Sequence, residues 1–297
     1  DNNARYDSLK TGFSVLDSGR SNHFMYDENI NAAYVNYSRP FGKKWSAQLG
    51  LRLENTNANG NSAGYTFSSQ ENRFKSTNTK FSRNYTQLFP TAYIQYTANE
   101  KNQFVLNYGR RLERPNYEDM NPFVHFLDRY TFEQGNPNLG PQFAHNVELS
   151  HTYKGFLTTT VNYTSTNNII QQVLEQNDVN NETFIKKANI ASMQQLGLAV
   201  SAQKELTKWW SGSIYANVFN NSFEGIVNND AISFNLTSFM TQVQQQFKFG
   251  KGWAAELSGF YRTKAVEGVI FIKPIVQVNA GFSKQILKNK GSLKLGI

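Results

Sequence analysis

Residues 45–54 read WSAQLGLRLE, and this stretch decides the fold. Trp45, Ala47, Leu49, Leu51 and Leu53 occupy every second position, and polar residues or glycine occupy the positions between them. Successive side chains of a β-strand point to opposite faces, so this alternation predicts a strand with one apolar face and one polar face. The stretch also has the length that a strand needs to cross a bilayer, about 9–11 residues.

The same alternation recurs along the chain in about twelve segments, the last of which is residues 292–297. The middle of the apolar face carries no Asp, Glu, Lys or Arg, whereas the opposite face holds Arg52, Glu54 and Glu148 among many Gln, Asn, Ser and Thr. A charge that faces lipid at mid-bilayer costs about 2–4 kcal/mol, and a polar face suits a water-filled lumen. We therefore predict an all-β fold, an antiparallel transmembrane β-barrel, rather than a large soluble antiparallel sheet.

The composition agrees with this class of protein. Charged residues make up 18% of the 297 residues, below the roughly 25% of soluble domains. The absence of cysteine excludes disulfides, thiolate metal sites and thiol catalysis, and the sequence has no apolar run long enough for a membrane-spanning helix. The net charge is +8, but the basic residues are spread along the chain instead of forming one stripe, so we expect no nucleic-acid partner.

The connections between the predicted strands alternate between short and long, as in outer-membrane barrels with short periplasmic turns and long external loops. The short connections are 39–44, 99–102, 154–155, 204–209, 249–252 and 287–291. The long ones are 55–84, 112–142, 171–183 and 221–233, and among the connections on that side only 264–269 is brief. Each tryptophan immediately follows a short turn, which predicts an aromatic belt at the periplasmic interface. The belt consists of Trp45, Trp209, Trp210 and Trp253.

A search for catalytic motifs gives little. The nucleophile elbow, the zinc-protease helix motif, the phosphate-binding loop and the dinucleotide fingerprint are all absent. His125 near Asp128 is the one pair that would suit a rim hydrolase, and residues 178–181 lack the ligand alternation of a calcium loop. We therefore expect no enzyme activity, no cofactor and no metal site.

The long connection 112–142 is the segment with most functional information, because it is the densest region of Pro, Gly and Asn and reads as an ordered external loop. Its charged residues would form a mixed cluster at the barrel mouth that contacts substrate or a plug, or else stiffens the loop through ion pairs. The candidate contacts are Arg111, Glu113, Arg114, Tyr117, Glu118 and Asp119, with Arg52 and Glu54 on the lumen wall. A tight turn is expected at Gly135, Asn136, Pro137, Asn138 and Leu139.

These residues carry a resemblance to a known family. RRLERPNYEDMNPF (110–123), followed by GNPNLGPQFAHNVELSHTY (135–153), resembles the barrel of TonB-dependent outer-membrane receptors, in the outer-membrane β-barrel branch. FMYDENINAAYVNYSR (24–39), LGLRLENTN (49–57) and YTQLFPTAYIQY (85–96) look like the preceding strands of that branch, in the same order. The resemblance extends from about residue 22 to residue 297.

The resemblance implies a 22-stranded barrel in the bacterial outer membrane, filled by an N-terminal plug. Such receptors bind a scarce nutrient, such as a siderophore, vitamin or glycan, and import it with energy relayed by TonB. We expect residues 1–297 to be a single barrel domain, incomplete at both ends and without its plug. The implied partners are the lipid bilayer, lipopolysaccharide, a small nutrient, the TonB complex and a surface lipoprotein. The alternative is a passive pore or a structural, adhesin-like barrel.

Overall fold

The structure is a computed structural model that describes residues 2–5, 7–10, 13–19, 21–68, 71, 73–177, 181–227, 230–267 and 270–297. Residues 178–180, the centre of the calcium-loop candidate, lie outside this set. The strands and short 3-10 helices, in chain order, are β1 (Asn2–Ala4), β2 (Asp7–Lys10), β3 (Phe13–Leu16), β4 (Asn22–Phe41), β5 (Trp45–Ser68), β6 (Arg73–Asn99), β7 (Asn102–Glu113), η1 (Tyr117–Met120), β8 (Val124–Phe126), β9 (Thr131–Gln134), β10 (Gln142–Tyr153), β11 (Leu157–Asn177), β12 (Glu182–Glu205), β13 (Trp210–Val227), β14 (Asp230–Gly250), β15 (Trp253–Arg262), β16 (Ala265–Glu267), β17 (Ile270–Ile272), β18 (Ile275–Ile286), η2 (Leu287–Asn289) and β19 (Gly291–Gly296). In this described part, no helix is long and apolar enough to cross a membrane.

One antiparallel meander dominates the fold. Its twelve strands are β4 to β7, β10 to β15, β18 and β19, each paired with the next, which confirms the predicted number. The short strand β1 pairs with β4, and β9 adds to β12 in parallel orientation. Within the described residues, β1 and β19 stand at opposite ends of the strand order and do not pair with each other.

The pairing register keeps the two predicted faces continuous from strand to strand. Leu51 lies opposite Val35 on β4 and opposite Pro90 on β6, whereas Arg52 lies opposite Tyr34 and Phe89. Side chains of the apolar set, such as Leu49, Leu51 and Leu53, remain exposed on one side of the sheet, as lipid-facing residues of a barrel must. The sequence prediction of an outward apolar face and an inward polar face is confirmed.

Short turns at one end of the sheet join β4 to β5, β6 to β7, β10 to β11, β12 to β13, β14 to β15 and β18 to β19. Several residues in these turns have positive φ, among them Gly42 at 66° and Gly252 at 78°. Glycine adopts such angles without the steric penalty that a Cβ imposes. The six short connections predicted from the sequence are confirmed.

Three of the four long connections that the sequence predicts are largely strand in the structure. β5 and β6 continue to Ser68 and Arg73, so the predicted connection 55–84 is mostly an extended hairpin. Predicted connections 171–183 and 221–233 are likewise occupied by the far ends of β11 to β14. The backbone ladder continues here although the apolar alternation stops, and only 112–142 is a true loop among these four.

The outward face of the β4–β6 hairpins changes character where the apolar stretch ends. After Leu53 and Leu88 come carboxamides and hydroxyls: the Asn55 side chain donates to Asn84 Oδ1 and to Thr86 Oγ1, both at 2.9 Å. Asn57 donates in turn to Asn55 Oδ1 at 2.7 Å. Side chains that hydrogen-bond in this way suit water or polar head groups and not acyl chains, so the lipid-facing stretch of β5 ends at Leu53.

Candidate functional site

The candidate site lies in the loop between β7 and β10, residues 114–141, called the mouth loop here. Pairing of β6 with β7 ends at Thr91 opposite Gly109, although β6 continues alongside β5 to Arg73. The side chain of Arg110 occupies the point of divergence: it donates to the Leu88 carbonyl at 2.6 Å and stacks over Phe143 at 4.7 Å. Beyond this point the mouth loop packs against β4 and β5.

A ring of three buried side chains fastens the mouth loop to this wall. Asn22 on β4 donates to Ser62 Oγ, Ser62 donates to Asn121 Oδ1, and Asn121 donates back to Asn22 Oδ1, each at 2.9 Å. Asn121 Oδ1 also accepts from the backbone N–H of Phe123 at 3.2 Å. All three polar residues are at least 93% buried. Because unsatisfied polar groups are costly in such surroundings, the closed ring fixes the position of the loop.

The predicted turn at 135–139 packs directly on this ring. A Cβ atom on Gly135 would overlap the backbone of Asn121, lying 2.7 Å from its nitrogen, so only glycine fits. The Asn136 N–H donates to the Asp119 carbonyl at 2.7 Å, and the Asn136 side chain caps the N–H of Asn138 at 2.9 Å. Leu139 is fully buried. The motif is therefore the folded centre of the loop, joined to the segment around Asn121.

The opposite side of the mouth loop is attached to β12. Asn189 and Gly140 exchange two hydrogen bonds, of 2.7 and 2.9 Å. Lys187 Nζ lies 2.8 Å from Asp119 Oδ2, and β9 pairs in parallel with Thr183–Ile185. Contacts on both walls make the mouth loop an ordered bridge across the inner side of the sheet.

Beneath the bridge, a charged cluster forms around Glu54. Its side chain is 6% exposed and accepts from both Arg52, at 2.6 Å, and Arg114. Arg114 also approaches Glu28 Oε1 at 3.5 Å and Thr56 Oγ1 at 3.3 Å. Burial is the largest single influence and lowers the pKa of the Arg114 guanidinium, but the charges of Glu54, Tyr85 and Glu28 and the hydrogen bond to Glu54 together outweigh it, so the pKa is raised overall. Two arginines and two glutamates thus balance in charge.

Only part of the predicted mixed-charge cluster is brought together. Arg114, Arg52 and Glu54 meet, whereas Asp119 pairs with Lys187. The Glu113 carboxylate accepts from Gln142 at 2.6 Å, and Arg111 is exposed and forms no ion pair with another described residue. The expectation of a single cluster is wrong, because Arg114 binds Glu54 on β5 whereas Asp119 binds Lys187 on β12.

Tyr117 and Glu118 lie on η1, which Asn116 caps by accepting from the Glu118 N–H at 3.4 Å. The Tyr117 ring stacks on Tyr26 with the ring centres 6.2 Å apart, and its hydroxyl donates to Glu118 at 3.2 Å. That hydrogen bond raises the pKa of Tyr117. Tyr117 is partly exposed at the mouth and remains a candidate ligand contact.

The four tryptophans lie at the short-turn end of the sheet, where aromatic rings stack across neighbouring strands. Trp45 stacks on Tyr96 with the ring centres 4.3 Å apart, and Trp209 lies 6.2 Å from Trp210. Lys284 lies over Trp253 at 4.7 Å and donates to a turn carbonyl. Amphipathic rings combined with such cations are the arrangement expected at a head-group boundary.

The rim pair His125 and Asp128 offers no hydrolase geometry. The Asp128 carboxylate accepts from the backbone N–H groups of Tyr130 and Thr131, at 2.8 and 2.9 Å, and His125 packs against Phe123. The hydrogen bond from Tyr130 is the main reason that the pKa of Asp128 is lowered. In the described part of the chain, no three His, Asp or Glu side chains are grouped as metal ligands.

Two cavities adjoin the mouth loop, on either side of the β8–β9 hairpin. One, of about 450 Å³, is lined by charged side chains that include Glu118, Glu133 and Lys186. The other, of about 660 Å³, lies between the loop and the extended β5–β6 hairpin. Both volumes are within the range of small-molecule sites, about 300–1,000 Å³.

The sequence of this chain is similar to that of a known protein family. The sequence profile of the outer membrane protein beta-barrel family matches residues 1–297. The chain belongs to this family. Membership assigns the chain to the outer membrane, with its apolar face toward lipid. A search of curated proteins gave no match.

Solved structures share the fold of this outer-membrane barrel. The siderophore receptor PiuA from Acinetobacter baumannii is 15% identical with a TM-score of 0.63, over 97% of this chain and 41% of that chain. The copper transporter OprC is 11% identical with a TM-score of 0.68, over 99% and 46%. The ferric yersiniabactin uptake receptor FyuA from Yersinia pestis is 13% identical with a TM-score of 0.64, over 96% and 42%. This chain therefore spans less than half the length of each structure.

The sequence reasoning missed the buried ring of Asn22, Ser62 and Asn121 and the attachment of Asn189. These residues are far apart along the chain, and their types are common in loops. The one available signal was Asn121 followed by Pro122, which marks a rigid turn but names no partner.

Proposed function

We propose that this chain is the barrel portion of a receptor that binds a scarce nutrient at its outer mouth and imports it with energy relayed by TonB. The observation that carries the proposal is the mouth loop, which is fastened to β4 and β5 on one side and to β12 on the other. A passive pore needs an open lumen, whereas a loop that bridges the mouth beside two cavities favours capture of a ligand.

The compared structures support the class of cargo. The compared proteins are a siderophore receptor, a ferric yersiniabactin uptake receptor and a copper transporter. We infer by analogy that the cargo here is a metal chelate or another scarce nutrient. A plug domain elsewhere in the full-length protein would connect the barrel to the TonB complex. A surface lipoprotein and lipopolysaccharide are the further proposed partners.

The direct test is uptake by cells that depend on the full-length protein for a growth-limiting nutrient, offered as a panel of iron chelates, copper salts and oligosaccharides. The proposal predicts growth on one nutrient class at low concentration, lost when the proton-motive force is dissipated. Arg114→Gln at the mouth should raise the nutrient concentration needed for half-maximal growth, whereas Lys101→Gln in a short turn should leave it unchanged.

Planar-bilayer recording separates import from the pore alternative. A receptor with its plug in place conducts little, so the full-length protein should show low conductance. Steady channel conductance together with growth that is independent of the proton-motive force would refute the proposal in favour of a passive pore.

A further inference from the structure

Two phenylalanines at the mouth are exposed outside the lipid-facing stretches. Most large apolar side chains on the surface of this chain lie on the outward face of the barrel strands. Phe74 and Phe126 are instead 46% and 49% exposed, and both line the larger of the two cavities beside the mouth loop. Exposed aromatic rings that line one cavity are typical of a binding site.

The cavity has two walls of different origin. Pro122, Phe123 and Phe132 of the mouth loop form one wall, and the extended β5–β6 hairpin forms the other, with the hydroxyl-bearing Thr77 and Thr79. Rings on one side and hydroxyl groups on the other suit a ligand group with an apolar ring face and polar substituents.

The loop wall is fixed in advance. Phe123 is 8% exposed, and its N–H donates to Asn121 Oδ1 of the buried ring at 3.2 Å. The β8–β9 hairpin is also held, because the Gln134 side chain donates to the Pro122 carbonyl at 3.0 Å. A wall that is already ordered does not lose conformational entropy when a ligand binds.

The charge of the lining separates this cavity from its neighbour. Among the described lining residues, Asp17 is the one charged side chain, and its carboxylate accepts from the Gly19 N–H at 3.1 Å. The adjoining cavity, by contrast, is lined by charges of both signs: Lys186 and Lys187 together with Glu118, Asp119 and Glu133. Among the described lining residues of the larger cavity, an anionic group would find no cationic partner to replace the water that it loses, which is unfavourable.

We propose that the larger cavity binds an uncharged, ring-bearing group with hydroxyl substituents, an aryl or glycosyl ring, and discriminates against anionic groups. The proposal rests on the proposed function in taking the mouth as the entrance for the ligand. It adds the class of the group that is recognised there.

The test uses the full-length protein in nanodiscs and two matched probes, 4-nitrophenyl β-glucopyranoside and 4-nitrophenyl phosphate. Saturation-transfer NMR should show binding of the neutral glucoside and at least tenfold weaker binding of the phosphate. The protons that receive most saturation, on the nitrophenyl ring or on the sugar, tell which ring enters the cavity.

Matched variants on one strand locate the binding. Thr77→Trp fills the cavity and should weaken glucoside binding at least tenfold, whereas Asn78→Trp, on the opposite face of β6, should not change it. Thr79→Lys adds a cation to the lining and should raise the affinity for the phosphate probe at least threefold.

Stronger binding of the phosphate than of the glucoside by the unaltered protein would overturn the proposal. Absence of glucoside binding, or equal loss with both tryptophan variants, would also overturn it. Binding in nanodiscs requires neither TonB nor a proton-motive force, so failure of energised uptake would refute the proposed function without altering this result.

Discussion

Replacing Asn121 with alanine should loosen the mouth loop without unfolding the barrel. Three hydrogen bonds of the Asn121 side chain are lost, to Asn22, Ser62 and the Phe123 N–H. The Ser62 hydroxyl can rotate toward another acceptor, but the Asn22 oxygen and the Phe123 N–H stay buried without a partner. At about 1–3 kcal/mol for each of these two unsatisfied groups, the local cost is about 2–6 kcal/mol.

Amide hydrogen exchange of the protein in nanodiscs measures this cost directly. Because about 1.4 kcal/mol corresponds to tenfold in an equilibrium constant, exchange at Phe123 and Leu139 should accelerate by about 30-fold to about 20,000-fold. Strand amides in β5 should keep their protection. The control is Asn138→Ala, since the Asn138 side chain is exposed in the same motif. Acceleration below about threefold, or equal acceleration in the control, would refute the role of the buried ring.

Three further perturbations test other parts of the structure. Leu49→Arg faces lipid and should lower the free energy of unfolding from vesicles by about 2–4 kcal/mol, whereas Gln48→Arg on the lumen face should change it little. Gly135→Ala should destabilise the mouth loop by about 1–3 kcal/mol in hydrogen exchange, while Gly140→Ala, whose added Cβ meets its nearest neighbour at 3.7 Å, should be tolerated. The pKa of Asp128 in the folded protein is lowered. The stabilisation of the β8–β9 turn by Asp128 should therefore be present above the ordinary carboxyl pKa of about 3.9 and be lost as the pH falls through the folded pKa. Hydrogen exchange of the turn amides measures this loss.

For each of these perturbations, one result would contradict the structural assignment that it tests. Equal destabilisation by the two arginine substitutions would contradict the assignment of faces on β5. Equal exchange in the two alanine variants would contradict close packing of Gly135 on Asn121. Protection of the β8–β9 turn that does not vary with pH, or varies equally in Asp128→Ala, would contradict the capping role of the carboxylate.

The alternation of residues 45–53 was sufficient to predict a strand, the residues that share each of its faces, and the face that points outward, because lipid excludes charge from every second position. The far half of the same strand was predicted as a connection, 55–84, although β5 continues to Ser68. Above the membrane both faces of a hairpin meet water or polar groups, so the period of two disappears from the sequence while the backbone hydrogen bonds continue.

Individual residues of the candidate site could be predicted from the sequence, but the contacts that bring them together could not. The turn at Gly135 followed from local chemistry, and the wall residue Glu54 followed from strand parity. The contact between Glu54 and Arg114 depends on where β7 leaves β6, near Gly109, and no local pattern specifies that point. The hydrogen-bonded ring that contains Asn121 joins three segments that are far apart along the chain, so no local sequence pattern predicts it.

The most direct test of the central claim is a cysteine scan along β5, residues 45–57, in the outer membrane. Residues 1–297 contain no cysteine, so no other thiol of this part of the protein competes with the introduced one. We predict that a lipid-soluble reagent labels positions 47, 49, 51 and 53, that a water-soluble maleimide labels 48 and 52, and that labelling by the lipid reagent stops at 55 and 57. Uniform labelling along the strand, or lipid labelling of the even positions, would contradict the barrel wall described above.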